Sequence, residues 1–175
     1  YMKIAIVIPA RYGSTRFPGK PLAKIGGKTM LSRVVDVARA VGGADIIVTT
    51  EDQRIADHAK EIGAECILTS ENCPTGSDRV LEAVRKSGKT YDLVINLQGD
   101  APFTPASVVS AMIDAFKKNP AIEVITPVHQ LSWDDLDRLR ESKKTTPFSG
   151  TTATVDANGR ALWFSKTIIP ALRKD

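Results

Sequence analysis

The chain has 175 residues, 42% hydrophobic and 25% charged, with a formal net charge of +4, the composition of a soluble globular protein long enough to bury one core. No apolar run approaches the ~20 residues that a membrane-spanning helix needs, and the run 4–8, followed by Pro9 and Arg11, is too short for a secretory leader. A cytoplasmic protein without membrane contact is therefore expected.

In chain order, the apolar run 4–8 predicts a buried strand that empties into Pro9-Ala10-Arg11-Tyr12-Gly13-Ser14-Thr15-Arg16-Phe17-Pro18-Gly19-Lys20-Pro21. Gly26-Gly27-Lys28 predicts a turn and Thr29 a helix cap. Apolar residues at 30, 34, 38 and 41 then keep the spacing of one buried helical face up to Gly42-Gly43. Residues 45–50 predict a second strand, 52–63 a helix with Ile55, Ala59 and Ile62 inward, and 65–68 a short third strand. The polar stretch 69–78 leads into a helix capped by Thr75 or Ser77, with Val80, Leu81 and Val84 buried. Residues 91–97 predict a fourth strand running straight into Gln98-Gly99-Asp100. Thr104-Pro105 starts a helix that runs to about Lys118. Residues 122–128 predict a fifth strand, and Ser132-Trp133-Asp134-Asp135 opens a short charged helix. A hairpin around Asn158-Gly159 joins 151–155 to 160–164.

Strands alternating with helices at this spacing predict an α/β fold: a mainly parallel sheet with helices on both faces and an antiparallel edge supplied by the closing hairpin. Crossovers of one hand bring the loops after the strands to one side. Loops 9–21, 69–78 and 98–103 are thus expected to line one crevice.

The first of these loops is the strongest chemical signal. Residues 1–35 hold seven basic side chains and no acidic one. Three of them, Arg11, Arg16 and Lys20, fall in a loop whose glycines let backbone N–H groups turn inward. Oriented amides make an anion-binding concavity, arginine adds planar bidentate donors, and lysine adds a point charge. A polyphosphate site is the reading, although the loop carries neither G-x-G-x-x-G nor G-x-x-x-x-G-K-[ST]. A stiffened surface connection and a nucleic-acid patch are the alternatives. The second is disfavoured because the charge is local and forms no stripe across several elements.

Asp100 ends an apolar strand behind a glycine and is a candidate ligand for Mg²⁺, which takes one or two carboxylates and completes its shell with phosphate oxygens and water. The competing reading is a turn aspartate capping the segment before Thr104. Thr75-Gly76-Ser77-Asp78-Arg79 reads equally well in two ways. It is an N-cap with its acid in the first turn, or a glycine-bearing turn offering short polar groups to a nucleobase or sugar, with Arg79 reaching an acidic ligand. Cys66 and Cys73, the only cysteines, match no zinc or redox spacing. They read as structural, and His58 and His129 lack companions at ligand spacing.

Pro9-Ala10-Arg11-x-x-Ser14-x-Arg16-x-Pro18-Gly19-Lys20-Pro21-Leu22, then Thr75-Gly76-Ser77-Asp78-Arg79, then Gln98-Gly99-Asp100 together resemble the sugar-acid cytidylyltransferases. Within them, the set looks like the 3-deoxy-manno-octulosonate (Kdo) cytidylyltransferases. Asp156-x-x-Gly159-x-Ala161-Leu162-x-Phe164-Ser165-Lys166-x-x-Ile169-Pro170 is similar to that family's late edge segment, with Lys166 where arginine is usual. The resemblance implies a Rossmann-like nucleotidyltransferase fold over a single domain, 1–175, without the family's C-terminal part. It implies activation of Kdo by CTP to CMP-Kdo and pyrophosphate, with Mg²⁺, for lipopolysaccharide assembly. It also implies a cytoplasmic homodimer that binds no nucleic acid.

By the family pattern, Ala10, Arg11, Ser14, Arg16 and Lys20 would hold the triphosphate, and Pro74, Thr75, Gly76 and Ser77 would lie at the cytosine and ribose. Arg79 and Gln98 would contact the sugar acid, and Asp100 would ligate the metal. Arg11, Lys20 and Asp100 would carry catalysis. Ala101 stands where the family usually has glutamate. A cytidylyltransferase for amino-Kdo or a sialic-type acid, and a CTP-binding module without catalysis, are therefore the alternative readings.

Overall fold

A computed structural model describes residues 2–13 and 17–171, and the chain divides into two units, Tyr1–Ile125 and Thr126–Asp175. In the first unit, β1 (Ile4–Pro9) is buried at all six positions. A small antiparallel ladder of β2 (Lys24–Ile25) and β3 (Lys28–Thr29) turns at Gly26-Gly27. It leads into α1 (Met30–Val41), whose Ser32 N–H donates to the Thr29 hydroxyl as expected of a cap. There follow β4 (Asp45–Thr50), α2 (Gln53–Glu61), β5 (Glu65–Leu68), α3 (Gly76–Lys86), β6 (Leu93–Asn96) and α4 (Ala106–Lys118).

The sheet runs β5-β4-β1-β6 with every pair parallel. The chain builds outward from β1 on one side, then crosses to its other edge. That reversal beside β1 is a topological switch point, where loops leaving the carboxyl ends of adjacent strands part and open a crevice.

Two layers close the sheet. Ile4, Ile6 and Ile8 pack with Leu31, Val34, Val35 and Ala38 of α1, Ile55 and Ala59 of α2, and Val109 and Ile113 of α4. Ala5 and Val7, on the opposite face, pack with Ile47 and with Val80 and Ala83 of α3. Because both faces are covered, the strand reads as an unbroken apolar run and not as an alternation.

Several expectations shift on inspection. On α3 the buried residues are Arg79, Val80 and Ala83, while Leu81 is 48% exposed. The helix phase is one position away from that drawn through the apolar residues alone. Helix α4 begins at Ala106, with Pro105 in the cap position. Residues 122–128 form no strand, and Val124 and Val128 are exposed. The run has β-branched residues, but no strand among the described residues pairs with it, and Pro127 removes one donor.

The second unit holds α5 (Trp133–Thr145), capped by the Ser132 hydroxyl accepting from Asp135 N–H, and an antiparallel hairpin of β7 (Thr152–Val155) and β8 (Ala161–Ser165). The hairpin forms as read, as a two-stranded sheet, where the expectation made it the antiparallel edge of a larger one. Its turn is organised by Asp156, whose carboxylate accepts from the N–H groups of Asn158 and Arg160 at 2.8 and 2.9 Å. Lys143 ties α5 to the hairpin by donating to the carbonyls of Ser149, at 2.6 Å, and Lys166, at 2.5 Å. No helix among the described residues is long and apolar enough to cross a membrane.

Candidate functional site

The loop leaving β1 is anchored before it turns. Ala10, 2% exposed, donates its N–H to the Thr49 carbonyl at 2.9 Å, so the loop departs alongside the end of β4. Tyr12 is then the pivot. Its N–H donates to Glu51 Oε1 at 3.1 Å, and its carbonyl accepts from Gly19 N–H at 2.9 Å. The Arg54 guanidinium lies over its ring, 3.3 Å from the centroid, a cation–π contact. Asp52 holds Arg54 through two side-chain bonds of 2.9 and 2.7 Å, and that hydrogen bonding keeps the Asp52 carboxyl below its ordinary range. Gly19 closes the loop at φ 70, where a Cβ would also sit 3.1 Å from the Tyr12 ring; only glycine takes that conformation without strain. The chain then enters a 3-10 turn, Lys20–Leu22. Arg11 is exposed on the loop, and Ser14 and Arg16 lie outside the described residues.

The loop after β6 continues the strand's alternation. Ile95, Leu97 and Gly99 are buried, and Asn96, Gln98 and Asp100 are exposed. Gly99 N–H donates to the Pro9 carbonyl at 3.2 Å, bringing the two loops together backbone to backbone. Lys20 Nζ accordingly stands 3.0 Å from Asp100 Oδ2, with 39% and 60% of the two side chains exposed. An ion pair this open contributes only ~0–1 kcal/mol. Its meaning is positional: the loop's cation and the strand-end carboxylate share one place.

The start of α3 forms the N-cap offered as one reading of this segment. Thr75 and Asp78 form a reciprocal capping box, so the cap is Thr75 and not Ser77. Gly76 and Ser77 instead face the loop after β6. A Cβ on Gly76 would lie 3.4 Å from Gln98 Oε1 and 3.6 Å from Pro9 Cγ. Asn96 Nδ2 donates to Ser77 Oγ at 3.3 Å, and Gln98 Nε2 donates to Asn96 Oδ1 at 2.8 Å. Pro74 is exposed just ahead of the cap. The expected convergence of Pro9-Ala10-Arg11, Lys20, Gly76-Ser77 and Gln98-Gly99-Asp100 therefore occurs within the first unit.

Glu82 staples the loop that precedes α3. It accepts from Ser70 N–H at 2.8 Å and from the Cys73 thiol at 3.1 Å, and pairs with Lys86 at 2.8 Å. Lys86 first, then Cys73 and Ser70 N–H, push its carboxyl from 4.5 down to about 2. A folded-state carboxyl that binds its proton more weakly than the unfolded one stabilises fully above pH 4.5, and loses that contribution as pH falls toward about 2. Protection of the Ser70 amide against hydrogen exchange is expected to fall across that window, and Glu82→Gln should remove the dependence. The Cys73 and Cys66 thiols are both pushed up by burial, Cys66 to about 11, which makes them poor nucleophiles.

Arg79 requires a correction. Expected to reach an acidic ligand, it is 1% exposed, with Nη2 3.1 Å from Glu51 Oε2 and Nη1 donating to Thr69 Oγ1 at 2.7 Å. It lies on the inner face of α3 beside Val80 and Ala83 and spends its charge inside the protein. Glu51, Tyr12, Arg54 and Asn96 went unnoticed in the sequence. Glu51 alone had a usable signal, as an acid directly after a predicted strand on the side where ligand loops gather. No group of three or more His, Cys, Asp or Glu among the described residues is arranged to hold a metal.

A family model described as cytidylyltransferase matches residues 5–175. The chain is 42% identical over 174 residues to a 3-deoxy-manno-octulosonate cytidylyltransferase of Maricaulis maris, covering 99% of this chain and 67% of that protein. It is 39% identical over 165 residues to one from Chlamydia trachomatis serovar L2, covering 94% of this chain and 62% of that protein. The fold is similar to the solved structure of CMP:2-keto-3-deoxy-manno-octonic acid synthetase complexed with CTP, with a TM-score of 0.86 and 36% identity, covering 98% of this chain and 67% of that one. The chain thus spans roughly two thirds of the length of these relatives.

Proposed function

The chain belongs to the cytidylyltransferase family, and we propose that it activates the 3-deoxy-2-keto sugar acid Kdo with CTP, giving CMP-Kdo and pyrophosphate for lipopolysaccharide synthesis. The observation that carries this reading is the 3.0 Å approach of Lys20 to Asp100 at the switch point, beside a turn of Gly76 and Ser77. A cation and a carboxylate in this open pair are both exchangeable. Phosphate oxygens compete for the ammonium, and a divalent cation competes for the carboxylate.

In this proposal Ala10, Arg11, Ser14, Arg16 and Lys20 take the triphosphate, Pro74 to Ser77 the cytosine and ribose, and Gln98 the sugar acid. Asp100 fits Mg²⁺ by its chemistry, a hard carboxylate oxygen, 60% exposed, facing a place where phosphate oxygens can complete an octahedral shell. Bound there, Mg²⁺ supplies charge neutralisation and alignment for in-line displacement at phosphorus. The sugar acid's anomeric hydroxyl oxygen attacks the α-phosphorus and gives up its proton to water, the bond from that phosphorus to the bridging oxygen breaks, and pyrophosphate leaves. Arg11 and Lys20 neutralise the charge that develops on the departing phosphates. The protein's work is orientation and electrostatics, and no side chain is assigned as general base. A cytoplasmic homodimer belongs to the same proposal and is tested by sedimentation.

Calorimetric binding of CTP with and without Mg²⁺, followed by Kdo-dependent pyrophosphate release, tests the reading. CTP binding without pyrophosphate release from any sugar acid would favour a binding module. Release with a sialic-type or amino-Kdo substrate, but not Kdo, would shift the specificity, a variant reading that Ala101 in the glutamate position motivates. Lys20→Ala is expected to weaken Mg·CTP binding by roughly 10- to 100-fold, the range for losing one charge-assisted hydrogen bond. An unchanged affinity would remove Lys20 from the phosphate grip.

A further inference from the structure

We infer that Glu51 is a positioning residue, which locks the phosphate loop to the start of α3 so that both halves of a nucleotide meet preformed sites. The inference rests on the proposed nucleotide reading of the site. Glu51 directly follows β4, with 14% of its side chain exposed against 1% for Arg79. Its two oxygens do different things. Oε2 meets Arg79 Nη2 at 3.1 Å as charge against charge, outside hydrogen-bond alignment. Oε1 accepts the directed bond from Tyr12 N–H at 3.1 Å.

The partners of that carboxylate lie on both sides of the crevice. Tyr12 is the pivot at which the cationic loop turns, its carbonyl held by Gly19 N–H and its ring by Arg54. Arg79 sits in the first turn of α3, its N–H donating to the Thr75 carbonyl at 3.2 Å. That turn carries Gly76 and Ser77. Arg79 Nη1 is fixed in turn by Thr69 Oγ1, just beyond β5. One carboxylate therefore refers the phosphate loop and the base-side turn to the same buried point.

Stability alone is a poor explanation for the pair. A buried ion pair can often be replaced by well-packed apolar groups without loss. An apolar replacement cannot accept a hydrogen bond from Tyr12, so the distinctive contribution of Glu51 is the direction of Oε1.

Two double variants of equal charge isolate that contribution in the intact protein: Glu51→Gln/Arg79→Met, which keeps an acceptor, and Glu51→Leu/Arg79→Met, which does not. Neither leaves a lone buried charge. The Leu variant is expected to bind Mg·CTP roughly 10- to 100-fold more weakly than the Gln variant, the scale on which small misplacements act, at matched melting temperatures. Equal CTP affinity in the two variants would overturn the positioning role, as would a difference in melting temperature with no difference in affinity. If the unsubstituted protein does not bind CTP, the nucleotide reading fails on its own. Hydrogen exchange at the Tyr12 amide then decides: faster exchange in the Leu variant supports the lock, and equal exchange overturns it.

Discussion

Asp100→Asn is expected to lower pyrophosphate release by at least ~100-fold, the lower end of what removing one preorganised charge-stabilising group costs. The melting temperature should stay within ~4 °C. The second half of that expectation follows from exposure. Asp100 pairs with Lys20 in the open, with 60% and 39% of the side chains exposed, a pair worth ~0–1 kcal/mol, or about 2–4 °C at most for a chain of this size. Asparagine keeps the shape of the side chain and removes the charge that a hard divalent cation requires. The substitution also carries a sign that a nonspecific defect would not reproduce. Without the carboxylate, Lys20 no longer has a competitor for its ammonium, so metal-free CTP should bind as tightly as before or more tightly. Turnover at the unsubstituted rate would remove Asp100 from the chemistry. Loss of turnover together with loss of metal-free CTP binding would point to a collapsed loop and not to a missing ligand.

The parts of this arrangement legible in the sequence are those set by short-range rules. The apolar run of β1 announces a strand buried on both faces. Thr29 and the 75–78 segment announce caps, and the loops after predicted strands announce the side on which a crevice must open. Lys20 and Asp100 could be paired from that topology because parallel strands deliver their following loops to the same end.

What stayed hidden depended on distant partners. Arg79 looked like an outward cation because arginine is almost never fully buried unless paired, and its partner Glu51 lies on another loop. The same pairing shifted the inner face of α3 away from Leu81 and toward Arg79 and Ala83. Residues 122–128 carry the side chains of a strand but pair with no strand among the described residues. β propensity describes fit to a neighbouring strand more than an intrinsic backbone preference. The closing hairpin was legible because its turn chemistry is local.

Gly99→Ala is expected to damage both stability and turnover, and the two effects have one origin. A Cβ at this position would lie 2.5 Å from the Pro9 carbonyl oxygen and 3.4 Å from Ala10 Cβ. The first obstacle is backbone, not the tip of a mobile side chain. That backbone cannot retreat freely, because Pro9 is the last residue of the β1–β4 register and Ala10 N–H is bonded to the Thr49 carbonyl. Forcing a methyl group into such a contact costs about 1–3 kcal/mol, or roughly 2–12 °C in melting temperature. The relief available is for the loop after β6 to swing away from β1, which lengthens the bond from Gly99 N–H to Pro9 O and carries Asp100 away from Lys20. Displacements of that kind lower turnover by roughly 100-fold when they separate groups that act together. Asp100→Asn should therefore lose activity with its fold intact, whereas Gly99→Ala should lose both. Unaltered melting and unaltered pyrophosphate release in Gly99→Ala would show that the two loops do not need their close approach, and that Asp100 is held in place by something other than the backbone contact at Pro9.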